Sequence, residues 1–211
     1  MRIHFVLISE GSSDDGLIPH LETLCIKCGA TEVTGIAPDL RRLPQHVGHS
    51  VVDKLRVVLQ LEPQANLVFI HRDADSPQAQ SRYDEIAEAV VACELQKQWV
   101  AIVPIQETEA WLLLDEDAIK QVAGKPGSKV NLMLPSAATI ESINNPKEML
   151  QQKILLASGA SGRRLARLRA NFASHRRLLL LRLPTDGVLS QVSSWSKMRA
   201  DLQQALEQLM E

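Results

Sequence analysis

The chain has 211 residues, 45% of them apolar, and a formal net charge of −2 at neutral pH, enough to bury an ordinary core without a disulfide framework or a structural metal. Its three cysteines cannot all pair within one chain, and its longest apolar runs fall far short of the roughly 20 residues of a membrane helix. No cleavage-site pattern precedes the first strand-like run, so the expectation is an untargeted chain in the reducing cytoplasm, with no membrane contact.

The first half alternates short apolar or β-branched runs with longer helical patterns, the signature of successive βαβ units and a parallel sheet. Four strands are expected, at Ile3 to Ser9, Glu32 to Ala37, Leu67 to Arg72 and Val100 to Ile105, each nearly continuous in apolar residues, as strands covered on both faces are. Helices are expected between them, at about Gly16 to Cys28, Ser50 to Leu61 and Pro77 to Gln96, where apolar residues recur at three- and four-residue spacing. Gly29 follows the first as a stop, and Ser76-Pro77 places a capping hydroxyl before a first-turn proline.

From Glu107 onward no strong strand signal appears. A helix over Thr108 to Val122 leads into the Gly/Pro/Ser-rich stretch Gly124 to Ser128, then into several helices, one of them announced by the Asn145-Pro146-Lys147-Glu148 start signal and the last running from Trp195 to Met210. The organisation expected is an α/β domain over 1–123 and a helical C-terminal extension over 124–211, with no internal repeat.

Charge is segregated along the chain. Seven arginines, Arg163, Arg164, Arg167, Arg169, Arg176, Arg177 and Arg182, fall within twenty residues. The acids gather elsewhere. In a parallel α/β sheet the ligand crevice lies beyond the carboxyl ends of the strands, and three acidic groups stand there: Glu10 after the first strand, Asp73-Ala74-Asp75 after the third, Glu107-Thr108-Glu109 after the fourth. Residues two apart in extended backbone point the same way, so Asp73 and Asp75 are expected to face the crevice together while Ala74 turns inward. Such a pair offers hard oxygen donors to Mg2+ or Mn2+, which keep several waters and take one or two carboxylates plus substrate phosphate oxygens. Glu10 then serves as a further ligand or as general acid or base, and Glu107 or Glu109 completes the shell. The bland reading is that Asp73 and Asp75 open a turn, that Glu107 and Glu109 complement a helix start, and that Asp14 and Asp15 do the same.

Ser9-Glu10-Gly11 at one strand end and Asp73-Ala74-Asp75 at another resemble the Toprim domain of topoisomerases, primases and OLD-type nucleases. The resemblance covers roughly residues 1 to 110. It implies a Toprim-like, Rossmann-like sheet, Mg2+ on Asp73 and Asp75, and Glu10 as acid or base. Glu107-Thr108-Glu109-Ala110-Trp111-Leu112-Leu113 also looks like the E-x-E-A-W-L-L signature of an uncharacterised bacterial Toprim-like family associated with mobile-element or phage-defence clusters, which implies an ATPase partner. The chain departs from the fullest Toprim pattern in having Ser9 before the Glu and no glycine after Asp75. Its only tyrosine, Tyr83, lies in a helix, so a tyrosyl intermediate is not expected.

The expected function is therefore a metal-dependent nuclease-like protein acting on nucleic-acid phosphodiesters, DNA in preference to RNA, with Lys54, Arg163, Arg164 and Arg167 as candidate phosphate contacts. The ordinary alternative for the arginines is a solvated face over Leu165 and Leu168. Two other functions stay open: phosphoryl transfer through Asp73 in the manner of receiver or haloacid-dehalogenase-like proteins, and a non-catalytic subunit that docks on an ATPase. Cys25-Ile26-Lys27-Cys28 sits at a helix end and lacks a second C-x-x-C, so buried thiols are expected rather than a redox or zinc site. Trp111, followed by leucines, is expected in the core.

Overall fold

Four runs rich in β-branched and aromatic residues form strands β1 (Arg2–Ile8), β2 (Glu32–Ile36), β3 (Leu67–His71) and β4 (Gln98–Ile102). They build one sheet in the order β2-β1-β3-β4, with every neighbouring pair parallel. In this computed structural model, which describes residues 1–210 and Ser12 by its backbone alone, the chain is thus α/β, with an all-parallel central sheet flanked by helices and a C-terminal helix. Among the described residues no helix is long and apolar enough to cross a membrane.

Each strand returns through a helix: α1 (Ile18–Lys27), α2 (Val51–Leu61) and α3 (Gln80–Ala92). The right-handed crossover rule places α1 on one face of the sheet and α2 and α3 on the other, and α2 and α3 do pack on each other. Ser50 caps α2, its hydroxyl accepting from Asp53 N, and Gly29 ends α1 in the left-handed region at φ +99°. The expected helix from Pro77 starts later, at Gln80, because Ser76 is held elsewhere: its carbonyl accepts from Gln106 N.

The chain divides into two compact units: 1–72, 78–103 and the residues from 194 onward form the first, and 73–77 with 104–193 form the second. The expected break at 123 thus falls inside the second unit, and most of the last helix, α9 (Ser193–Met210), belongs to the first.

The first unit is centred on β1 and β3. Phe5, Val6, Leu67, Val68, Phe69 and Ile70 are fully buried, and the Phe5 and Phe69 rings meet edge to face at 5.0 Å. The strands at the edges are less covered, and β2 is only half-buried. Gly35 of β2 pairs with Phe5 of β1, whose ring lies over it.

The second unit is helical. The expected helix over 108–122 breaks into α4 (Glu109–Leu112) and α5 (Glu116–Val122), because the Asp115 carboxylate accepts from Ala118 N and caps a new start. These pack on α6 (Pro146–Ser158) and α8 (Phe172–Leu180), while α7 (Gly162–Ala170) buries no residue fully. Trp111, Leu113, Ile119, Leu150, Ile154 and Leu180 form its core, so Trp111 is a packing residue.

A Cβ at position 35 would overlap the Phe5 ring, and overpacking of this kind costs about 1–3 kcal/mol. Gly35→Val should destabilise the chain by that amount in urea unfolding. Phe5→Leu in the same chain should recover part of the loss; strictly additive losses would contradict the close approach.

Candidate functional site

In the first unit the carboxyl ends of β1 and β3 carry more charge than the sequence reading assigned to them. Glu10 Oε1 lies 2.9 Å from Arg72 Nη1, and Arg72 Nη2 lies 3.4 Å from Glu85 Oε1. A guanidinium with two carboxylates around it occupies the place where the sequence suggested a bound cation beside Glu10. Behind it, His71 is 1% exposed and its Nδ1 is 3.9 Å from Oδ2 of Asp14, itself 3% exposed. Asp14 therefore faces the interior and does more than complement a helix end. Lys54, a candidate phosphate contact, donates through Nζ to the carbonyl oxygens of Ser9 at 2.8 Å and Glu10 at 3.1 Å. Burial lowers its pKa, with the charge of Arg72 adding to the effect, and the ammonium braces the end of β1.

The Asp73-Ala74-Asp75 segment belongs to the second unit. Its backbone continues alongside 104–106, with Ala74 N donating to Pro104 O and Asp75 N to Gln106 O. Ala74 is buried as expected, but Asp75 has φ +51° and Gln106 opposite it φ +63°. The extended backbone assumed for this triplet is therefore interrupted at Asp75, so the shared direction expected of residues two apart in a strand does not carry over to Asp73 and Asp75. Two left-handed non-glycine residues facing each other hold backbone strain of about 1–3 kcal/mol each. Asp73 Oδ1 accepts from both the backbone N and the Oγ1 of Thr108, at 2.9 and 3.0 Å, anchoring the turn that opens α4.

The two glutamates after β4 separate. Glu109 is 3% exposed and its Oε1 receives the Nε of Arg176 at 2.8 Å, an ion pair closed inside the second unit. Glu107 instead lines a cleft of about 530 Å³ together with Asp75, Gln106, Asn144, Asn145 and Glu148. Lys147 N donates to its Oε2 at 3.2 Å. Burial raises the Glu107 pKa above the ordinary carboxylate value, and the charges of Glu109 and Asp73 raise it further.

Among the described residues no group of three or more His, Cys, Asp or Glu side chains is placed to hold a metal ion; of the expected carboxylate shell, Glu10 belongs to the first unit and Asp73, Asp75, Glu107 and Glu109 to the second. The chemistry of the second unit's cleft still suits a hard cation. Its polar side chains are carboxylates and amides with a lysine, without Cys or His, and magnesium needs only one or two carboxylates with waters completing its shell.

The arginines of α7 are solvated. Arg163, Arg164 and Arg167 are exposed, Leu165 and Leu168 half-buried. Sequence reasoning missed a plainer signal: from Met149 to Thr185 there is no Asp or Glu at all, while Lys153 and all seven arginines lie within that stretch. It also missed His71, Arg72 and Arg176, the partners of its acids, because nothing in local spacing links residues so distant in the chain. Cys25 is buried and its thiol pushed up to about 12, by burial first and Cys28 second.

No family model, no curated protein and no solved structure matches this chain.

Truncating one partner of a buried ion pair leaves the other charge stranded, at about 3–5 kcal/mol. Arg176→Met should cost that much in denaturant unfolding, and the double change with Glu109→Gln should cost clearly less than the two single changes summed; costs that simply add would mean the pair is not coupled. A second expectation concerns pH. Glu107 binds its proton more tightly folded than unfolded, so the stability it contributes is present at low pH and is lost as pH climbs through and above the usual carboxylate range. Glu107→Gln should flatten that part of a profile of melting temperature against pH, and an unchanged profile would remove the case for a raised pKa.

Proposed function

We propose that the protein is a Mg2+- or Mn2+-dependent nuclease-like hydrolase of nucleic-acid phosphodiesters, with Asp75 and Glu107 as the cation-binding carboxylates. One observation carries the reading: the second unit holds both an oxygen-lined acidic cleft and a 37-residue stretch, from 149 to 185, that contains cations and no acid. The first suits a hard cation and the second suits a polyanionic backbone. A cation bound there would stabilise negative charge developing on a phosphoryl oxygen. Arg163, Arg164 and Arg167 hold the substrate backbone. Asp73 keeps the Asp75 turn in place through Thr108. Lys147, in the same cleft, is the cationic group suited to a substrate phosphate.

This reading agrees with the Toprim-like resemblance in chemistry and shifts its residues. The resemblance makes Glu10 the acid or base; Glu10 is paired with Arg72, and this reading does not depend on it. A cytoplasmic setting and an ATPase partner belong to the same proposal. A second reading rests on Thr108, whose hydroxyl contacts Asp73; a hydroxyl beside an aspartate suits a site that holds a phosphoryl group on that aspartate.

The full chain is to be incubated with plasmid and single-stranded DNA and RNA in Mg2+, Mn2+ or EDTA. Asp75→Asn and Glu107→Gln should each lower metal-dependent cleavage at least about 100-fold, the scale of a few kcal/mol of lost charge stabilisation, and should weaken Mn2+ binding read by electron paramagnetic resonance. Replacing Arg163, Arg164 and Arg167 by Ala should flatten the salt dependence of duplex binding by about 0.9 per lost phosphate contact. Cleavage that survives both carboxylate changes rejects the assignment. Phosphate transferred to Asp73 from acetyl phosphate favours the second reading, and tight nucleic-acid binding with no cleavage marks a docking subunit.

A further inference from the structure

The first unit contains a cavity that the phosphodiesterase reading does not use. It measures about 460 Å³ and lies between the end of β1, α2 at Lys54 and Val58, and the segment 37–49. That position, beyond the carboxyl ends of parallel strands, is where open α/β sheets bind their ligands. The segment carries only one short 3-10 turn, Leu40–Arg42, and a connection this long without regular structure inside a compact unit is characteristic of binding loops. It arches over the end of β1 instead of collapsing on it.

The walls say what would fit. Pro38, Pro44, His46 and His49 contribute ring surfaces, with the two imidazoles edge to face at 6.1 Å, and Leu43 and Val47 add aliphatic cover. Glu10, Asp15, Asp39, Arg41 and Lys54 supply its charge. Lys54 uses two of its three N–H donors on Ser9 and Glu10 carbonyls, leaving the third for a ligand. Two of the three lining carboxylates are engaged, Glu10 with Arg72 and Asp39 with Arg41 and Arg42, and the third is Asp15. An occupant needs a flat ring for the ring-lined end and an anionic group for the lysine. The volume lies within the range of small-molecule pockets and is far larger than a lone phosphate or metal ion needs.

We propose that this cavity binds a nucleoside monophosphate, its base between the prolines and imidazoles and its phosphate against Lys54. Base stacking on such side chains tolerates any base, so the four common nucleotides bind with similar strength. The site stands independently of the metal cleft in the second unit, and its test is run with EDTA present so that the two readings fail separately.

Isothermal titration of the full chain with AMP, GMP, CMP and UMP, and with ribose 5-phosphate and inorganic phosphate, decides it. The nucleotides should bind at least about 10-fold more tightly than ribose 5-phosphate or phosphate, the weight of a stacked base. Val47→Trp, which fills the cavity, should abolish binding with an unchanged thermal melt. His46→Ala with His49→Ala should weaken it about 10-fold and supplies the readout if the tryptophan unfolds the chain. Absence of nucleotide binding, equal binding of ribose 5-phosphate, or affinity unmoved in a folded variant overturns the proposal.

Discussion

A strand hydrogen-bonded in parallel on both edges cannot be reached by tight turns, and β1 is such a strand. Its neighbours β2 and β3 run the same way, so each connection must cross over the sheet through a helix, and all the strands release their following residues at one end. That constraint brings Glu10, Lys54, His71 and Arg72 into one charged cluster and leaves the 37–49 segment arched beside it. It also makes β1 intolerant of change: Phe5 is buried against Phe69 on one side and rests over Gly35 on the other.

Charge placed near a core has to be answered, and this chain answers its acids largely with its own cations. Arg72 meets Glu10 and Glu85, Arg176 meets Glu109, and Lys54 is drawn onto backbone carbonyls. A carboxylate beside a strand end is stabilised equally well by a guanidinium or by a metal ion, and the residues that distinguish the two lie tens of positions away. Asp75 and Glu107 line the second unit's cleft, and the proposed chemistry rests on them.

The second unit separates its charges by sequence as well as by place. Acids occupy its first part, the opening of α6 and position 186, while everything from Met149 to Thr185 is cationic or neutral. Only Arg176 of the arginine group is buried. Those on α7 ride on a helix whose two leucines are half-covered, so their guanidinium groups stay in water and hold little stability. Gathered on one exposed helix, they form a surface suited to meeting opposite charge.

Much of the fold was legible in the residue order. Apolar runs bounded by Gly, Pro, Ser and Asp located the four strands to within two or three residues, because a strand buried in a parallel sheet must be apolar throughout, and Gly29 and Pro146 marked helix ends through local backbone chemistry, whereas the helix expected from Ser76-Pro77 begins only at Gln80. Trp111 and Cys25 were legible as core for the same reason. The site was legible only as a set of candidates. Whether Asp75 continues a strand or turns left-handed depends on its pairing with Gln106, and whether Glu109 is a ligand or a structural anion depends on Arg176, 67 residues away. Local pattern determines secondary structure because its hydrogen bonds and periodicity span a few residues. Side-chain pairing across the folded chain decides which charges remain for function, and no window of sequence contains that information.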